Sequence, residues 1–325
     1  MPLSTMLTSH LCTQADMNRP DFQEWGTRMK LGWYYHRKLW EWAYIAQALH
    51  ERAMLCPGVR GLGFAVGQEP LTALFASMGS EVTASDLHPE AEEAAGWAKA
   101  SAHASNLEAI DLRGICPADE LARRVTFRGV DMNRIPPDLR DYDFVWSSCA
   151  FEHLGSLEAG VRFLVSALDC LRPGGVAVHT TELNLSSDRR TIEDGPTVLY
   201  RERDLREVAA VFKALGHAIE LDFGRGHGPA DRYVDEPPYY QVQPAREPSM
   251  AHLKLRYGSF VITSFGLIVQ KSLDTQAPDA AEARRRLLCI LRRRERIRAA
   301  LGTLHRLWSA VRRRGQNILG GAGVY

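Results

Sequence analysis

Hydrophobic and polar positions follow two different rhythms along this chain. Short apolar runs that end in a polar residue alternate with segments whose apolar residues recur every three or four positions, a pattern typical of strands followed by helices. Seven strands are predicted, at 59–62, 81–86, 125–131, 142–148, 176–181, 217–223 and 259–271. Because strands and helices alternate, the sequence predicts an α/β fold with a doubly wound parallel sheet.

An aromatic segment with helical spacing precedes the first predicted strand. It contains WYYHRKLWEWAYIAQALHER (33–52), whose apolar residues fall on one broad helical face. This spacing predicts a helical cap over residues 21–56, which either lies over a core or closes over a site. Residues 1–20 carry little pattern, and we expect them to be flexible.

A glycine-rich turn, GLGFAVGQE (61–69), follows the first strand, and Pro70 suits the first turn of the helix behind it. Small residues let the backbone approach a ligand, and a helix amino terminus favours an anionic group. Asp86 lies 19 residues after Gly67, at the end of the second strand, where a carboxylate can accept both hydroxyls of a ribose. Nicotinamide sites share these two features, and a tight turn beside a strand-end aspartate would also produce them. The turn alone therefore leaves the cofactor open.

The bulk composition is that of a globular protein, with 45% hydrophobic and 24% charged residues among 325. No run of eighteen apolar residues is present, and the first twenty residues lack a secretory apolar region. The six cysteines are scattered without metal-ligand spacing, which favours reduced thiols and a cytoplasmic protein.

The net charge of +1 hides a strong asymmetry between the body of the chain and its last fifty residues. Between Arg284 and Arg314 there are 12 arginines and one acid, so the rest of the chain holds 28 of the 40 basic and 38 of the 39 acidic residues. Residues 274–325 are predicted to form an arginine-rich amphipathic helical tail. We expect it to dock on the acidic body or on a second copy in a homodimer. The second interpretation is that the tail binds the anionic inner face of a membrane or another protein. Binding of nucleic acid ranks last.

Several pieces at fixed distances after the glycine turn identify a family resemblance. They are Asp86, VDM (130–132), YDFVWSSCAFEHL (142–154) and LRPGG (171–175). With the GxGxG-like turn, these pieces resemble the class I S-adenosylmethionine-dependent methyltransferases over residues 57–271. More narrowly, GLGFAVGQEPL, WSSCAFEHLGS and GGVAVHTTELN together resemble bacterial methyltransferases associated with glycan or polysaccharide biosynthesis.

The resemblance implies a Rossmann-like domain over residues 57–273, with seven strands of which the last is antiparallel. It implies S-adenosylmethionine as cofactor and S-adenosylhomocysteine as product. Gly61, Gly63, Gly67, Glu69 and the backbone of Ser148 would contact the methionine part, and Asp86 would hold the ribose. Leu87, Asp131 and Met132 would surround the adenine. The chain departs from the family at Gly61, where an acid is common, and at Ala65, where glycine is common.

Methyl transfer to a hydroxyl needs a group that removes the hydroxyl proton, and histidine is the expected base. His179, at the end of the fifth predicted strand, is our candidate, although a structural histidine fits nearly as well. Glu182 would orient it or bind a substrate hydroxyl, and His153 is interpreted as part of the scaffold or cofactor pocket. His179 and Glu182, with Asp143 or Glu152, are a possible set of metal ligands, but positions i and i+3 on a strand face opposite ways. No metal is therefore predicted.

The loop 224–254, which contains DRYVDEPPYY (231–240), is predicted to form the wall of an acceptor site. Tyrosine, arginine and carboxylates at this density suit a hydroxyl-rich acceptor such as a sugar or glycan. A surface loop stiffened by prolines fits equally well. The predicted substrate-binding residues are Tyr200, Arg201, Asp231, Arg232, Tyr239 and His252.

Two other functions compete with a glycan-directed O-methyltransferase. A nicotinamide enzyme is disfavoured because GLGFAVG does not fit GxGxxG from Gly61 and because LRPGG fits the methyltransferases better. A catalytically degenerate methyltransferase fold that serves as a scaffold or binding subunit is motivated by the missing acid at Gly61. The hydroxyl that is methylated, N- or C-methylation and the oligomeric state are left open by the sequence.

Overall fold

A seven-stranded sheet organises the part of the chain that the structure describes. The computed structural model describes residues 6–88, 103–104, 106–239 and 251–274. The chain divides into one unit over Met1–Pro278 and a second over Asp279–Tyr325. The second unit, which holds the predicted arginine-rich helix, lies outside the described residues.

Five of the strands keep the predicted bounds to within two residues, whereas Leu171–Asn184 extends well beyond the predicted 176–181. The strands are β1 Arg60–Gly63, β2 Glu81–Asp86, β3 Val125–Gly129, β4 Tyr142–Ser148, β5 Gly155–Ser156, β6 Leu171–Asn184, β7 Asp194–Gly195, β8 Lys254–Tyr257 and β9 Phe260–Gln270. The main sheet has the order β3-β2-β1-β4-β6-β9-β8, and β5 pairs separately with β7. Strands β3, β2, β1, β4 and β6 are parallel, while β9 runs antiparallel to both β6 and β8. The predicted fold class, with the last of seven strands antiparallel, is confirmed.

One predicted strand, 217–223, does not form. This segment makes only isolated bridges, from Ala218 to Gln270 and from Leu221 to Ser9. The place beside β9 is taken instead by β8, which joins β9 through a tight turn at Gly258 with φ of 58°. A hairpin of this kind pairs at low entropic cost because the two strands are neighbours in sequence.

Eight helices are present in the described ranges, and they cover both faces of the sheet. They are α1 Gln14–Met17, α2 Pro20–Arg28, α3 Arg37–Glu51, α4 Leu71–Ser77, α5 Ala118–Arg124, α6 Leu157–Asp169, α7 Glu202–Ala214 and α8 Pro229–Arg232. Helices α3 and α4 share one apolar cluster with Phe144, Trp146 and Val178. The alternate residue His179 faces Phe163 of α6 on the other side, as expected from the two-residue period of a strand. None of the described helices is long and apolar enough to span a bilayer.

The amino-terminal segment differs from the expectation of a flexible tail. Leu7, Leu11 and Met17 are buried, and Ser9 donates a backbone hydrogen bond to Glu220. These apolar residues are too few and too irregularly spaced to show a periodic pattern. They are held by side-chain and backbone bonds to distant parts of the chain, which a local pattern does not reveal.

Helix α3 is the cap that the aromatic segment predicts, and it lies over the core rather than apart from it. His36 caps its amino terminus by accepting the Lys38 amide at 3.1 Å. Trp40 and Tyr44 are fully buried and stack on each other. Glu41 is charged, yet it is also fully buried among the apolar residues of the helix. The first turn of α3 thereby brings charged groups to the carboxyl ends of β4 and β6.

Candidate functional site

The glycine turn leaves β1 at the centre of the parallel strands and leads into α4. Ala65 and Gly67 have φ of 48° and 51°, the left-handed region that favours small residues. A Cβ atom at Gly63 would overlap the side chains of Trp146 and Val66. The turn therefore needs its small residues for steric reasons, and it leaves backbone amides at the sheet edge.

Gly61 has a different explanation from the one that the family resemblance suggests. It lies inside β1, and a Cβ atom there would overlap the ring of Phe144 on the neighbouring strand. An acidic side chain at this position cannot fit beside Phe144. The departure from the family pattern is therefore a packing exchange between two strands.

Asp86 ends β2 and ties three chain segments together. Its Oδ2 accepts the amides of Gly67 and Ala104 at 3.1 Å each, and its Oδ1 accepts the amide of Leu87 at 2.8 Å. Burial raises the pKa of Asp86, while the backbone amides oppose the shift. Val130, which follows β3, donates its amide to the Asp86 carbonyl at 2.7 Å. This bond brings the segment of Asp131 and Met132 next to Asp86.

An ammonium group occupies the end of β4. Lys38 Nζ lies 3.3 Å from the Ser148 carbonyl, 3.2 Å from Ser148 Oγ and 3.2 Å from Glu69 Oε1. It also pairs with Glu41 Oε2 at 3.0 Å. Burial raises the pKa of Glu41, but Lys38 and Arg37 outweigh burial and hold it at about 2. Ser148 and Glu69 thus form a place that binds a positively charged amine.

Arg37 joins this group to β6 and β9. Its Nη1 lies 2.6 Å from Glu182 Oε1, 3.3 Å from Ser264 Oγ and 3.7 Å from Cys149 Sγ. Burial raises the pKa of Glu182 to about 7, although the Arg37 charge opposes this shift. The strand ends beside the glycine turn therefore carry a buried network of paired charges.

A histidine and an aspartate from the predicted acceptor loop lie beside this network. The His252 ring stacks on His36 with centroids 4.7 Å apart, and its Nδ1 lies 2.5 Å from Asp235 Oδ2. The Tyr239 ring packs edge-on against His252 at 5.5 Å. Burial lowers the pKa of His252, and the Asp235 carboxylate opposes this. Since the Arg37 amide donates to the His252 carbonyl at 3.0 Å, the loop is fixed to the start of α3.

His179 does not lie where a general base would be needed, and this prediction requires correction. Its ring is buried between Phe151 and Phe163, and Nδ1 contacts Ser147 Oγ at 2.8 Å. Burial lowers the pKa of His179 to about 3. Strand β6 continues past it to Asn184, so Glu182 faces the opposite way and the two cannot share a metal. The strand alternation thus turns His179 into the core and Glu182 towards α3.

Two other predicted substrate residues are structural. Tyr200 is fully buried, and its hydroxyl donates to the Leu157 carbonyl at 3.4 Å. Arg201 is also buried, and it pairs with Asp204 and Glu193 at 2.7 Å each. Both side chains are held inside the protein by these partners, which argues against a substrate role.

Asp231, Arg232 and His153 are likewise engaged with the backbone. Asp231 accepts the Gln14 amide at 2.7 Å, and the exposed Arg232 donates to a loop carbonyl at 2.8 Å. His153 Nδ1 lies 2.8 Å from the Pro196 carbonyl, which fits its interpretation as scaffold. Among the predicted substrate residues, Tyr239 and His252 are the two that the structure brings to the charged network.

The network also contains residues that the sequence reasoning missed. These are Arg37, Lys38, Glu41, Cys149 and Asp235. One signal was present, because a glutamate between two tryptophans on an apolar helix face requires buried partners. Arg37 and Glu41 are spaced as a helical ion pair, which adds to that signal.

Comparison with known proteins finds a family-model match for the centre of the chain. Residues 62–179 match the family model of a methyltransferase domain, a span that begins in β1 and ends within β6. The strand order of the sheet is the Rossmann-like methyltransferase arrangement. Among curated proteins, none matches the chain.

Solved structures align with this chain at low sequence identity. A candidate sarcosine dimethylglycine methyltransferase from Galdieria sulphuraria is 17% identical with a TM-score of 0.46, over 72% of this chain and 86% of that one. A 1,6-didemethyltoxoflavin-N1-methyltransferase from Burkholderia thailandensis is 17% identical with a TM-score of 0.41, and the alignment covers 71% of this chain and 78% of that one. The [4+2]-cyclase SpnF is 18% identical with a TM-score of 0.44, over 71% and 82%. Neither a reaction nor a substrate for this chain follows from these values.

Proposed function

We propose that this chain is an S-adenosylmethionine-dependent methyltransferase that methylates a hydroxyl of a sugar or glycan. The observation that carries the proposal is the side-by-side ending of β2, β1 and β4. Their ends present Asp86, the glycine turn and Ser148 along one edge of the sheet. A ligand with a ribose at one end and an amino acid at the other would span this edge. The match of residues 62–179 to a methyltransferase domain supports the same cofactor.

The residues at this edge fit the cofactor. Ser148 and Glu69 bind the Lys38 ammonium, so they suit the amino group of the methionine part, beside Gly63 and Gly67. Asp86 Oδ1 accepts one bond among the described residues, and a carboxylate oxygen can accept a second from a ribose hydroxyl. Leu87, Asp131 and Met132 would adjoin the adenine. When bound, the cofactor supplies an electrophilic methyl group.

His252 takes the place of His179 as the proposed general base. The Asp235 carboxylate lies 2.5 Å from Nδ1 and orients the ring, and the proton of the acceptor would be taken up at Nε2. Because burial keeps the pKa of His252 below its usual value, the ring is neutral near pH 7 and can act as a base. The fixed orientation of the ring by Asp235 and His36 supports this role.

The sugar acceptor is supported by the chemistry around His252. Tyr239 offers an aromatic face beside the histidine, and the Asp235 carboxylate lies 2.5 Å from the histidine ring. Aromatic faces and carboxylates bind the apolar and hydroxyl faces of a sugar ring. The resemblance of the chain to glycan-associated methyltransferases points in the same direction.

Calorimetric titration with S-adenosylmethionine and S-adenosylhomocysteine tests the cofactor. We expect both to bind, with affinity lost in Asp86→Ala and retained in Asp143→Ala, whose carboxylate lies at the opposite end of β4. Folding of both variants is checked by circular dichroism. If the folded wild-type protein binds neither compound, the enzyme proposal fails and a scaffold role takes its place.

A methyl-transfer assay with sugar acceptors tests the acceptor. Product analysis by mass spectrometry distinguishes an O-methyl from an N-methyl group when amino sugars and their hydroxyl counterparts are compared. Methylation confined to the amines would overturn the hydroxyl assignment while leaving the cofactor assignment intact.

A further inference from the structure

Three potential metal ligands meet just beyond the end of β4. Cys149 Sγ and one carboxylate oxygen each of Glu152 and Glu182 lie within 4.8 Å of one another. Cys149 follows β4, Glu152 lies in the 3₁₀ turn Phe151–His153, and Glu182 belongs to β6. Residues from three separate elements thus converge on one point.

Two of the carboxylate oxygens in this cluster lack a partner among the described residues. Glu152 Oε1 and Glu182 Oε2 each have less than 1 Å² of exposed surface and accept no hydrogen bond. Their companion oxygens are bonded, to Thr181 Oγ1 at 3.2 Å and to Arg37 Nη1 at 2.6 Å. A buried carboxylate oxygen without a partner costs the full loss of its hydration. A positively charged group between them would remove this cost.

The charges around the cluster also leave room for a cation. Four buried or nearly buried carboxylates, those of Glu41, Glu69, Glu152 and Glu182, face two cations, Arg37 and Lys38. Carboxyl groups therefore outnumber cations by two in the described part of this network, and burial raises the pKa of two of them, Glu182 and Glu69. Buried charges are stable only when they are paired.

We propose that Cys149, Glu152 and Glu182 bind one divalent transition-metal ion. The two unpartnered oxygens are buried, and a bound ion would supply the partner that each of them lacks. A thiolate with carboxylates selects ions of intermediate softness, such as Zn²⁺ or Co²⁺, over Mg²⁺ and Ca²⁺. Binding forms the metal–sulfur bond and releases the thiol proton to solvent.

The backbone at Cys149 supports a functional position. Its φ is 45°, the left-handed region in which a non-glycine residue is strained. The Cys149 amide donates two hydrogen bonds to Thr180, one to Oγ1 at 3.0 Å and one to the carbonyl oxygen at 3.2 Å. These bonds hold the strained residue in a position where Sγ lies within 4.8 Å of one oxygen of each of the two carboxylates and donates to Glu41 Oε1 at 3.1 Å.

The place of the ion suggests its use. It would lie one residue beyond Ser148, near the proposed methionine part of the cofactor, where it could polarise an acceptor hydroxyl. This use rests on the proposed function, whereas binding of the ion does not.

Titration of the chelator-treated full chain with Co²⁺ tests the site directly. We expect one ion per chain and a thiolate-to-cobalt absorption band in the near ultraviolet. Cys149→Ser should abolish the band, and Glu152→Gln and Glu182→Gln should each weaken binding at least tenfold. Cys170→Ser and Glu193→Gln are matched controls, since both residues lie outside the cluster, and they should leave the titration unchanged.

Several outcomes would overturn the site. The folded wild-type chain could take up neither Co²⁺ nor Zn²⁺, or it could bind them without the band and equally well in the Cys149→Ser variant. If the glutamine variants do not fold, proton release on Zn²⁺ binding still tests the site. It is measured calorimetrically in two buffers, and the wild type should release the thiol proton whereas Cys149→Ser should not. If the chain takes up no metal and the methylation of amine-bearing acceptors depends on Glu152, the carboxylates would instead bind the ammonium group of the acceptor.

Discussion

Asp16 joins the amino-terminal segment to helix α3 through three donors. Its Oδ2 lies 3.0 Å from His10 Nε2 and accepts from Thr13 Oγ1 and Trp40 Nε1 at 2.9 Å each. Burial raises the pKa of Asp16, but His10 and these hydrogen bonds outweigh it and lower the pKa. Burial lowers the pKa of His10, but Asp16 outweighs it and raises the pKa. This pair accounts for the order of a segment that has no sequence pattern of its own.

We expect Asp16→Asn to lower the free energy of unfolding by about 2–4 kcal/mol near pH 5. The Asp16 contribution is present above the unfolded pKa of about 3.9 and is lost as pH falls through the lower folded value. The His10 contribution is full below about 6.5 and is lost as pH rises through its raised folded value. Urea unfolding from pH 4 to 9 should therefore show the smallest difference from wild type at high pH.

The control for this measurement is Glu24→Gln, which removes an exposed pair with Arg28. Its expected cost is about 0–1 kcal/mol with little pH dependence. An equal effect of both substitutions would refute the role given to Asp16.

The His252–Asp235 pair makes a prediction about activity. With methyl transfer as the readout, His252→Ala should lower kcat/KM by about 10²-fold or more, while S-adenosylmethionine affinity stays close to wild type. In wild type, the midpoint of the acid limb of activity should lie below the usual histidine pKa of about 6.5, because burial favours the neutral ring. Asp235→Asn removes the group that opposes this shift, so the acid limb should move to lower pH while the plateau falls. His153→Ala serves as the control. If the acid limb has the same midpoint in Asp235→Asn as in wild type, His252 is excluded as the base.

Between elements, the contact of β1 with β4 explains the missing acid in the glycine turn. Gly61→Ala should destabilise the protein by about 1–3 kcal/mol, because its Cβ would overlap the Phe144 ring. Denaturant unfolding of the double variant Gly61→Ala with Phe144→Leu should show a cost below the sum of the two single costs. Gly32→Ala, with no described atom within 4 Å of the added Cβ, is the control. Strict additivity would mean that the two positions do not compete for the same space.

The sequence predicted elements well where the signal is local. The bounds of β2 and β4 match the predicted strands 81–86 and 142–148, because each is an apolar run closed by a polar residue. The strand at 217–223 was wrong because pairing with β9 is decided between distant segments, and a hairpin partner competes for that edge. Local alternation does not reveal which of two segments wins.

The residues of the candidate site also fall into a group that local motifs reveal and a group that distant segments contribute. Asp86, the glycine turn and Ser148 occur at fixed distances along the chain, so the resemblance could identify them. Arg37, Lys38 and Glu41 reach the site from a helix that precedes the domain, and Asp235 reaches it from a loop. His179 misled because its motif marks a strand end, whereas the strand continues and turns the side chain into the core.

At the scale of the whole chain, the residues proposed to bind the cofactor, the acceptor and the metal all lie between positions 36 and 252. The unit Asp279–Tyr325 carries most of the arginine-rich segment and contributes none of them.

We therefore expect a chain that ends at Pro278 to bind S-adenosylmethionine with a Kd within about twofold of the full chain, a difference of about 0.4 kcal/mol. Calorimetry on both proteins in the same buffer measures this, with circular dichroism as the check on folding. The same two proteins define the role of the tail when light scattering and flotation with anionic vesicles are compared at low and high salt. A dimer or vesicle binding that is lost in the shorter chain and weakened by salt would assign the arginines to that contact. A large loss of cofactor affinity in a folded truncated chain would instead make residues 279–325 part of the site.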